Sequence, residues 1–460
     1  MYQQNYKFRN GVFYMSRPLT SERINEMKKD FNSNRGNQVA QTAATTNGLF
    51  KAAENIRSID DNNFNFSIDV DTHQVTNQRH SGRCWMFSCL NVIRFQIEKQ
   101  YNIENFELSQ NYLFFYDKLE KANYFYQNIL DTSGEELSSR DVQFLLNSPQ
   151  QDGGDWNLII SLVEKYGVVP KYEMDESSCS MDSTELNTLL NRKLRADAIV
   201  LRRMMNSNKT NDEIKAFIDE QLVEVYRILS IALGTPPETI NFTFRDKDKK
   251  YTSYQNLTPV EMYQKYVDID LNDYAIIINV PTESMPFDQT FEVELSGNMV
   301  DGKPNRYLNV EMDELKKLTI KQLKSGEPVW FACDVLKHFD RQKGIMSDSL
   351  YKFKELFDLD FNMTKGERFN YRESLPTHAM VIAGVNIVDD KPTKWKVENS
   401  WGDTIGDKGF CVMDDKWMTD YLFEVVVRKE FLTDTQRANL EKDATVLPFW
   451  NPMNPITPMI

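Results

Sequence analysis

The sequence predicts an α+β protein, and three observations carry that reading. Helical periodicity dominates the stretch from Ser21 to Leu233. β-branched and aromatic runs split by turns fill the last third, from Thr377 to Phe431. No internal repeat and no long low-complexity linker interrupts the 460 residues. At about 150 residues per domain, that length suggests two or three domains. Hydrophobic residues make up 41% of the chain, enough for a sizeable core.

Taken in order, helices are expected near Ser21–Asn32 and Gln38–Asn55. The run Phe66–Gln78 reads as an extended approach to Cys84. From Trp85 the apolar positions Leu90, Ile93 and Ile97 fall at helical spacing, and Phe87, Val92 and Phe95 widen the stripe into a largely buried helix. Ser109 caps a further helix beginning at Gln110. Gly153–Pro170 reads as a glycine turn, a helix and a stop, with Gly167 at the C-terminal cap. Asp182 and Glu185 have the spacing of a capping box for a helix reaching about Met205, and a second amphipathic helix covers Asp212–Leu233. After Pro237 come short strands ("FTF", "FEVEL"), a buried strand at Ala275–Val280, and a helix near Asp313–Lys324. "RDKDKK" (Arg245–Lys250) is mixed in sign and reads as a solvated turn. Strands follow at Pro328–Val335, Thr377–Val388, Lys394–Trp401, Gly409–Met413 and Leu422–Phe431. Four prolines in "VLPFWNPMNPITPMI" forbid a helix and favour an extended terminal arm.

Composition narrows the function classes. A net charge of −14 without a long basic run argues against nucleic-acid partners. No apolar stretch approaches the ~18 residues of a membrane span. The N-terminus lacks the apolar core of a secretory signal, and Met15 offers an alternative start behind a short leader. Five scattered cysteines without a CxxC, and four histidines, give no zinc pattern. No metal or other cofactor is expected, and the setting reads as reduced and cytoplasmic.

The chemistry centres on "NQRHSGRCWMF" (Asn77–Phe87). A nucleophilic cysteine needs a thiolate, a base to hold it, and donors for an oxyanion. Cys84 stands where a loop enters a helix, whose positive N-terminal end favours a thiolate. Gln78 can bring its side-chain NH2 beside the Cys84 N–H. His73 and His80 are near in sequence, but nothing points them at the sulfur, and His338 lies in a polar stretch. His378 opens an apolar strand, and Asn399, in "NSWG", can orient its ring.

The order Gln–x5–Cys–Trp, Gly–Gly, His–Ala, Asn–Ser–Trp–Gly resembles the papain superfamily of cysteine peptidases. "VTNQRHSGRCWMF", "SLVEKYGVVP", "GTPPETINFTFRDKDK", "LTPVEMYQKYV", "VWFACDVLKHF", "WKVENSWGD" and "VLPFWNPM" resemble one branch more closely, the bleomycin hydrolases and bacterial aminopeptidases C. The resemblance runs from about Lys28 to Met453. It implies a papain-like fold with a helical half carrying the nucleophile and a β-barrel-like half carrying His and Asn. It implies Cys84 as nucleophile, His378 as base, Asn399 as orienting group and Gln78 as oxyanion donor. Trp401 then shields the Asn–His bond, and Gly153 and Gly154 line the substrate cleft.

Cys84 and His378 are 294 positions apart, against roughly 130–150 in papain-like enzymes. The excess fits an insertion containing the amphipathic helices, and the resemblance implies that it builds a homohexamer; a helical cap on a monomer is the plain alternative. The expected domains are 1–60 (helical segment), 61–180 (nucleophile half), 181–325 (insertion), 326–445 (His/Asn half) and 446–460 (arm). In the resembling family the terminal carboxylate of the arm, here that of Ile460, meets the substrate α-ammonium and makes an aminopeptidase acting on peptides. Two departures stand out: "NPITPMI" lengthens the arm, and Ile405 replaces a frequent tryptophan. The longer arm keeps an endopeptidase or oligopeptidase open. A non-catalytic peptide- or nucleic-acid-binding member of the fold is the rival from another class.

Overall fold

The computed structural model describes residues 18–207 and 209–456, together with two strands, Tyr6–Arg9 and Val12–Met15. The chain divides into two compact units. The smaller runs to Ser58 and takes in Ser349–Asn362; the larger comprises Ile59–Asp348 and Met363–Ile460.

In the smaller unit the helix Ser21–Ser33 starts at Thr20, whose side chain accepts from the Arg23 N–H. Asn34 caps the next helix, Arg35–Asn47, by accepting from Gly36. The single helix expected over Gln38–Asn55 is broken: Gly48, at φ 86°, closes the first piece by donating to the Ala44 carbonyl, and Leu49–Ala53 forms a separate short helix. A positive φ is cheap only for glycine, so the break is written at that position. The two long helices bury none of their own residues.

The larger unit packs helices on both faces of a long mixed sheet. The helix Cys84–Tyr101 is buried along nearly its whole length. It lies against the strand His378–Val388, which sits between Val329–Cys333 and Lys391–Glu398. Alternate residues of that strand face opposite cores: Ala379 and Val381 meet the helical half, while Met380 and Ile382 meet a second core containing Trp395 and Trp417. Burial on both faces explains the uninterrupted apolar reading of "HAMVIAGV".

Most expected elements are present. Ser109 accepts from Tyr112 at the head of Gln110–Asp131, and Gly167, at φ 74°, ends Trp156–Tyr166. The amphipathic helices are Thr184–Asn206 and Asn211–Leu233, both packed on Gln110–Asp131. The capping box expected at Asp182/Glu185 does not form. Ser183 holds the cap position, but its hydroxyl is drawn away to Asp152. A capping box does open the following helix, between Thr210 and Glu213. Only Ile68–Asp69 of the extended run Phe66–Gln78 is a strand. "FTF" belongs to Ile240–Arg245, which pairs with Tyr251–Leu257 across the expected turn. The arm is not extended throughout. Thr445–Leu447 pairs in parallel with Thr290–Val293, after which Asn451 and Asn454 close successive turns by donating to the Pro448 and Asn451 carbonyls. Phe449 and Met453 are buried by this folding.

Candidate active site

Cys84 is the first residue of its helix, and the loop before it is tied down at several points. Gln78 N–H donates to the Ser400 carbonyl at 2.8 Å, and the Ser81 hydroxyl donates to the Gln78 carbonyl at 2.7 Å. Gly82 N–H donates to Asp152 Oδ2 at 2.9 Å; a Cβ on Gly82 would lie 2.9 Å from the Asp152 Cβ. Arg83, fully buried, forks onto Glu176 at 3.1 and 2.8 Å and lies between the Phe87 and Phe114 rings. The helix therefore starts at a fixed place, with its unpaired amide ends directed toward the cleft-side residue Cys84.

The Cys84 sulfur lies within hydrogen-bonding reach of the Ala379 and Trp85 backbone amides. Burial pushes its thiol up to about 11, and those amides pull the other way. Ala379 directly follows His378, so the sulfur sits beside the start of the histidine strand. The His378 Nε2 is 3.0 Å from the Asn399 Oδ1, which also accepts from the Ser400 N–H at 2.8 Å. An amide oxygen only accepts, so Nε2 carries the proton and Nδ1 is the lone-pair nitrogen. Burial, helped by the nearby Arg341 charge, lowers the imidazole to about 4 against the opposing Asn399 bond. Trp401 covers this pair, its ring 4.9 Å from the imidazole, and Arg341 lies over Trp401 at 4.3 Å.

Gln78 is held at both ends of its amide. Oε1 accepts from the Ser400 hydroxyl at 2.6 Å, and Nε2 donates to the Ser81 carbonyl at 2.6 Å. That fixes the amide's orientation and leaves the second N–H of the NH2 group for a ligand. Gln78, Cys84, Gly153, Gly154, His378 and Trp401 all line one cleft of about 810 Å³. His73, His80 and His338 do not line it. Among the described residues no cluster of three or more His, Cys, Asp or Glu is placed to hold a metal.

The Peptidase C1-like family matches residues 18–454. The chain belongs to this family. Aminopeptidase C of Streptococcus thermophilus is 44% identical over 436 residues, covering 95% of this chain and 98% of that protein. Aminopeptidase E of Lactobacillus helveticus is 41% identical over 438 residues, covering 95% and 99%. The crystal structure of PepW from Lactobacillus rhamnosis HN001 superposes with a TM-score of 0.94 at 47% identity, covering 95% and 98%. The chain is a cysteine peptidase with the α+β, papain-like fold of this family.

The two glycines of the peptidase cleft have separate reasons. A Cβ on Gly154 would lie 2.5–2.7 Å from the Trp85 indole, so this glycine is a packing requirement. A Cβ on Gly153 would lie 2.6 Å from the Pro455 carbonyl oxygen, so here the backbone of the arm itself fills the space. Both glycines line the cleft, each against a different part of the chain. Met453, Asn454, Pro455 and Ile456 line the cleft, and Ile460 lies outside the described residues.

Several residues that shape the site were not singled out in the sequence. Lys118 and Lys121, on one face of Gln110–Asp131, are almost fully buried. Their ammonium groups take the Gln151 carbonyl at 2.9 and 3.0 Å, and Lys121 takes that of Gly153 at 2.7 Å. Lys118 also pairs with Asp152 at 2.9 Å. Burial would raise the Asp152 carboxyl, but Lys118, Ser183 and Gly82 together hold it well below the usual range. In "FYDKLEKANYF" these lysines look like an ordinary solvated face; only the i, i+3 spacing hints that they act together.

Proposed function

We propose that this cysteine aminopeptidase releases N-terminal residues from peptides through an acyl-enzyme on Cys84. Cys84 gives its proton to His378 Nδ1, and the sulfur attacks the scissile carbonyl carbon. The resulting oxyanion takes the Cys84 N–H and the free N–H of Gln78. His378 then passes the proton to the leaving amine, and the C–N bond breaks. Water, deprotonated by the same nitrogen, attacks the thioester and frees the acid. Asn399 holds the ring so that Nδ1 is the working nitrogen, and Trp401 keeps water off that bond. The observation that carries the reading is the 3.0 Å His378–Asn399 bond on the strand whose next amide reaches the Cys84 sulfur.

The exopeptidase outcome rests on the arm. Residues Met453–Ile456 stand in the cleft beside Gly153, where a longer N-terminal extension of the substrate would run. The relatives named above carry aminopeptidase names, which does not favour an endopeptidase. We place the protein in the cytoplasm because its five cysteines are unpaired. A homohexamer is supported by family likeness and by Ile24, Met27, Phe31 and Val39, left open on helices that bury nothing within one chain. Light scattering reads the assembly directly, and a monomer mass overturns it. The test of the activity is Cys84→Ala. It is expected to abolish turnover of a leucyl anilide while leaving the melting curve in place. Retained hydrolysis sinks the assignment and returns the non-catalytic rival.

A further inference from the structure

The helix Cys84–Tyr101 carries a buried polar cluster outside the cleft. Arg94 stands well beyond Cys84 on that helix, about 15 Å along the axis. Its Nη2 donates to Glu398 Oε1 at 3.0 Å, to the Gln74 carbonyl at 2.8 Å and to the Thr72 carbonyl at 3.2 Å. Asn91, one turn earlier, donates to the same Glu398 oxygen at 2.8 Å and to the Thr76 hydroxyl at 3.1 Å. Arg94, Asn91, Glu398, Thr72 and Thr76 are all buried, and none of them lines the cleft.

These contacts join the three segments that hold the reacting groups. Arg94 and Asn91 ride on the helix that begins at Cys84. Glu398 directly precedes Asn399. Thr72, Gln74 and Thr76 belong to the run that leads into Gln78, and the Thr76 carbonyl accepts from the Gly402 N–H at 3.0 Å. A buried ion pair is a poor source of stability, because desolvating two charges offsets their attraction, and an apolar pair of similar volume often serves as well. Burial pushes the Glu398 carboxyl up, and Arg94 opposes that shift. What charge-assisted bonds supply and apolar contacts do not is direction: a guanidinium fixes where its acceptors lie. Here the acceptors are the carboxylate beside Asn399 and two carbonyls of the approach to Gln78.

We propose that Arg94 and Glu398 are positioning residues, which set the strand of Asn399 and the approach to Gln78 in register with the helix of Cys84. The inference rests on the acyl-enzyme reading above but goes beyond it, because neither residue belongs to the cleft. The pair acts through Asn399, which orients the His378 ring, and through Gln78, which holds the oxyanion. Without it the cleft still takes up peptide. What suffers is the step in which sulfur, imidazole and oxyanion donors must meet in one geometry.

The test is steady-state hydrolysis of a leucyl anilide by the full chain carrying Arg94→Met or Arg94→Lys. Near-ultraviolet circular dichroism identifies variants with native tertiary packing. An irreversible epoxide inhibitor that alkylates Cys84 counts active sites, so a mere loss of folded enzyme divides out. Per active site, Arg94→Met is expected to lower kcat by about tenfold or more and to leave KM within about twofold. Arg94→Lys keeps a cation with three N–H donors and should recover part of that loss. If Arg94→Met does not fold, Arg94→Gln combined with Glu398→Gln leaves a neutral hydrogen-bonding pair, and the same fall in kcat at constant KM is expected. The inference is overturned if kcat per active site is unchanged in a folded variant, if KM changes in step with kcat, or if Arg94→Lys is as slow as Arg94→Met. Wild-type hydrolysis is measured alongside. Its absence overturns the acyl-enzyme reading and this inference with it, whereas wild-type hydrolysis matched by the folded variants overturns this inference alone.

Discussion

Cys84 and His378 are each driven toward the neutral form by burial, the thiol up to about 11 and the imidazole down to about 4. Neither shift favours catalysis alone. Together they are workable, because a proton moving from sulfur to nitrogen leaves no net charge in the cleft. The sign of the pH dependence follows. With His378 replaced by alanine, burial, the backbone amides of Ala379, Trp85 and Cys84, and the Asp152 charge still act on the sulfur. The thiolate fraction should then keep rising with pH until about 11. Iodoacetamide labelling of Cys84 is expected to reach its plateau at far lower pH in the natural protein than in His378→Ala. Superimposable rate profiles would mean that the imidazole does not receive the proton. These residues were legible in the sequence because nucleophile, base and orienting group are fixed by chemistry. Arg94 and Glu398 were not, since in "NVIRFQIEK" and "WKVENSWGD" each looks like a solvated charge. Only their pairing across the fold buries them both.

At the scale of elements, Gly153 and Gly154 separate two kinds of constraint in adjacent positions. Gly154→Ala drives a methyl into the Trp85 indole, which is buried and pinned by its bond to the Asp152 carbonyl at 2.7 Å. We expect it to lower stability by about 1–3 kcal/mol. Gly153→Ala meets the Pro455 carbonyl of the arm and the flexible Gln151 side chain. It should leave stability within about 0.5 kcal/mol, the usual range away from a packed core, and loosen the arm. Urea unfolding measures both, and equal losses would refute the distinction. Helices with strong periodicity and good caps, such as Asn211–Leu233, expected over Asp212–Leu233, were legible nearly to the residue. The errors fell where tertiary contacts overrode local signals. Ser183 gives its hydroxyl to Asp152 rather than to its own helix, and the arm turns at Asn451 and Asn454 instead of running straight. The lysines at 118 and 121 were not legible for the same reason: their burial depends on carbonyls of a segment some thirty residues away.

For the whole molecule, the question is how far a substrate extends past the acyl residue before it meets the arm. Ending the chain after Met453 removes Asn454, Pro455 and Ile456 from the cleft wall. The shortened protein is expected to gain activity on an N-acetylated aminoacyl anilide relative to the free-amine form, by about tenfold or more if the arm excludes the acyl cap sterically. An unchanged ratio between the two substrates would show that the arm does not set the exopeptidase character. The contact of Pro455 with Gly153 has one more effect. The segment occupying that part of the cleft is covalently joined to the protein it obstructs, so its effective concentration is of the order of millimolar. Neither dialysis nor dilution lowers it. Every purified sample therefore carries its own competitor at constant strength, and the apparent KM of any peptide needing that space is inflated by a factor that only cutting or displacing the tether can change.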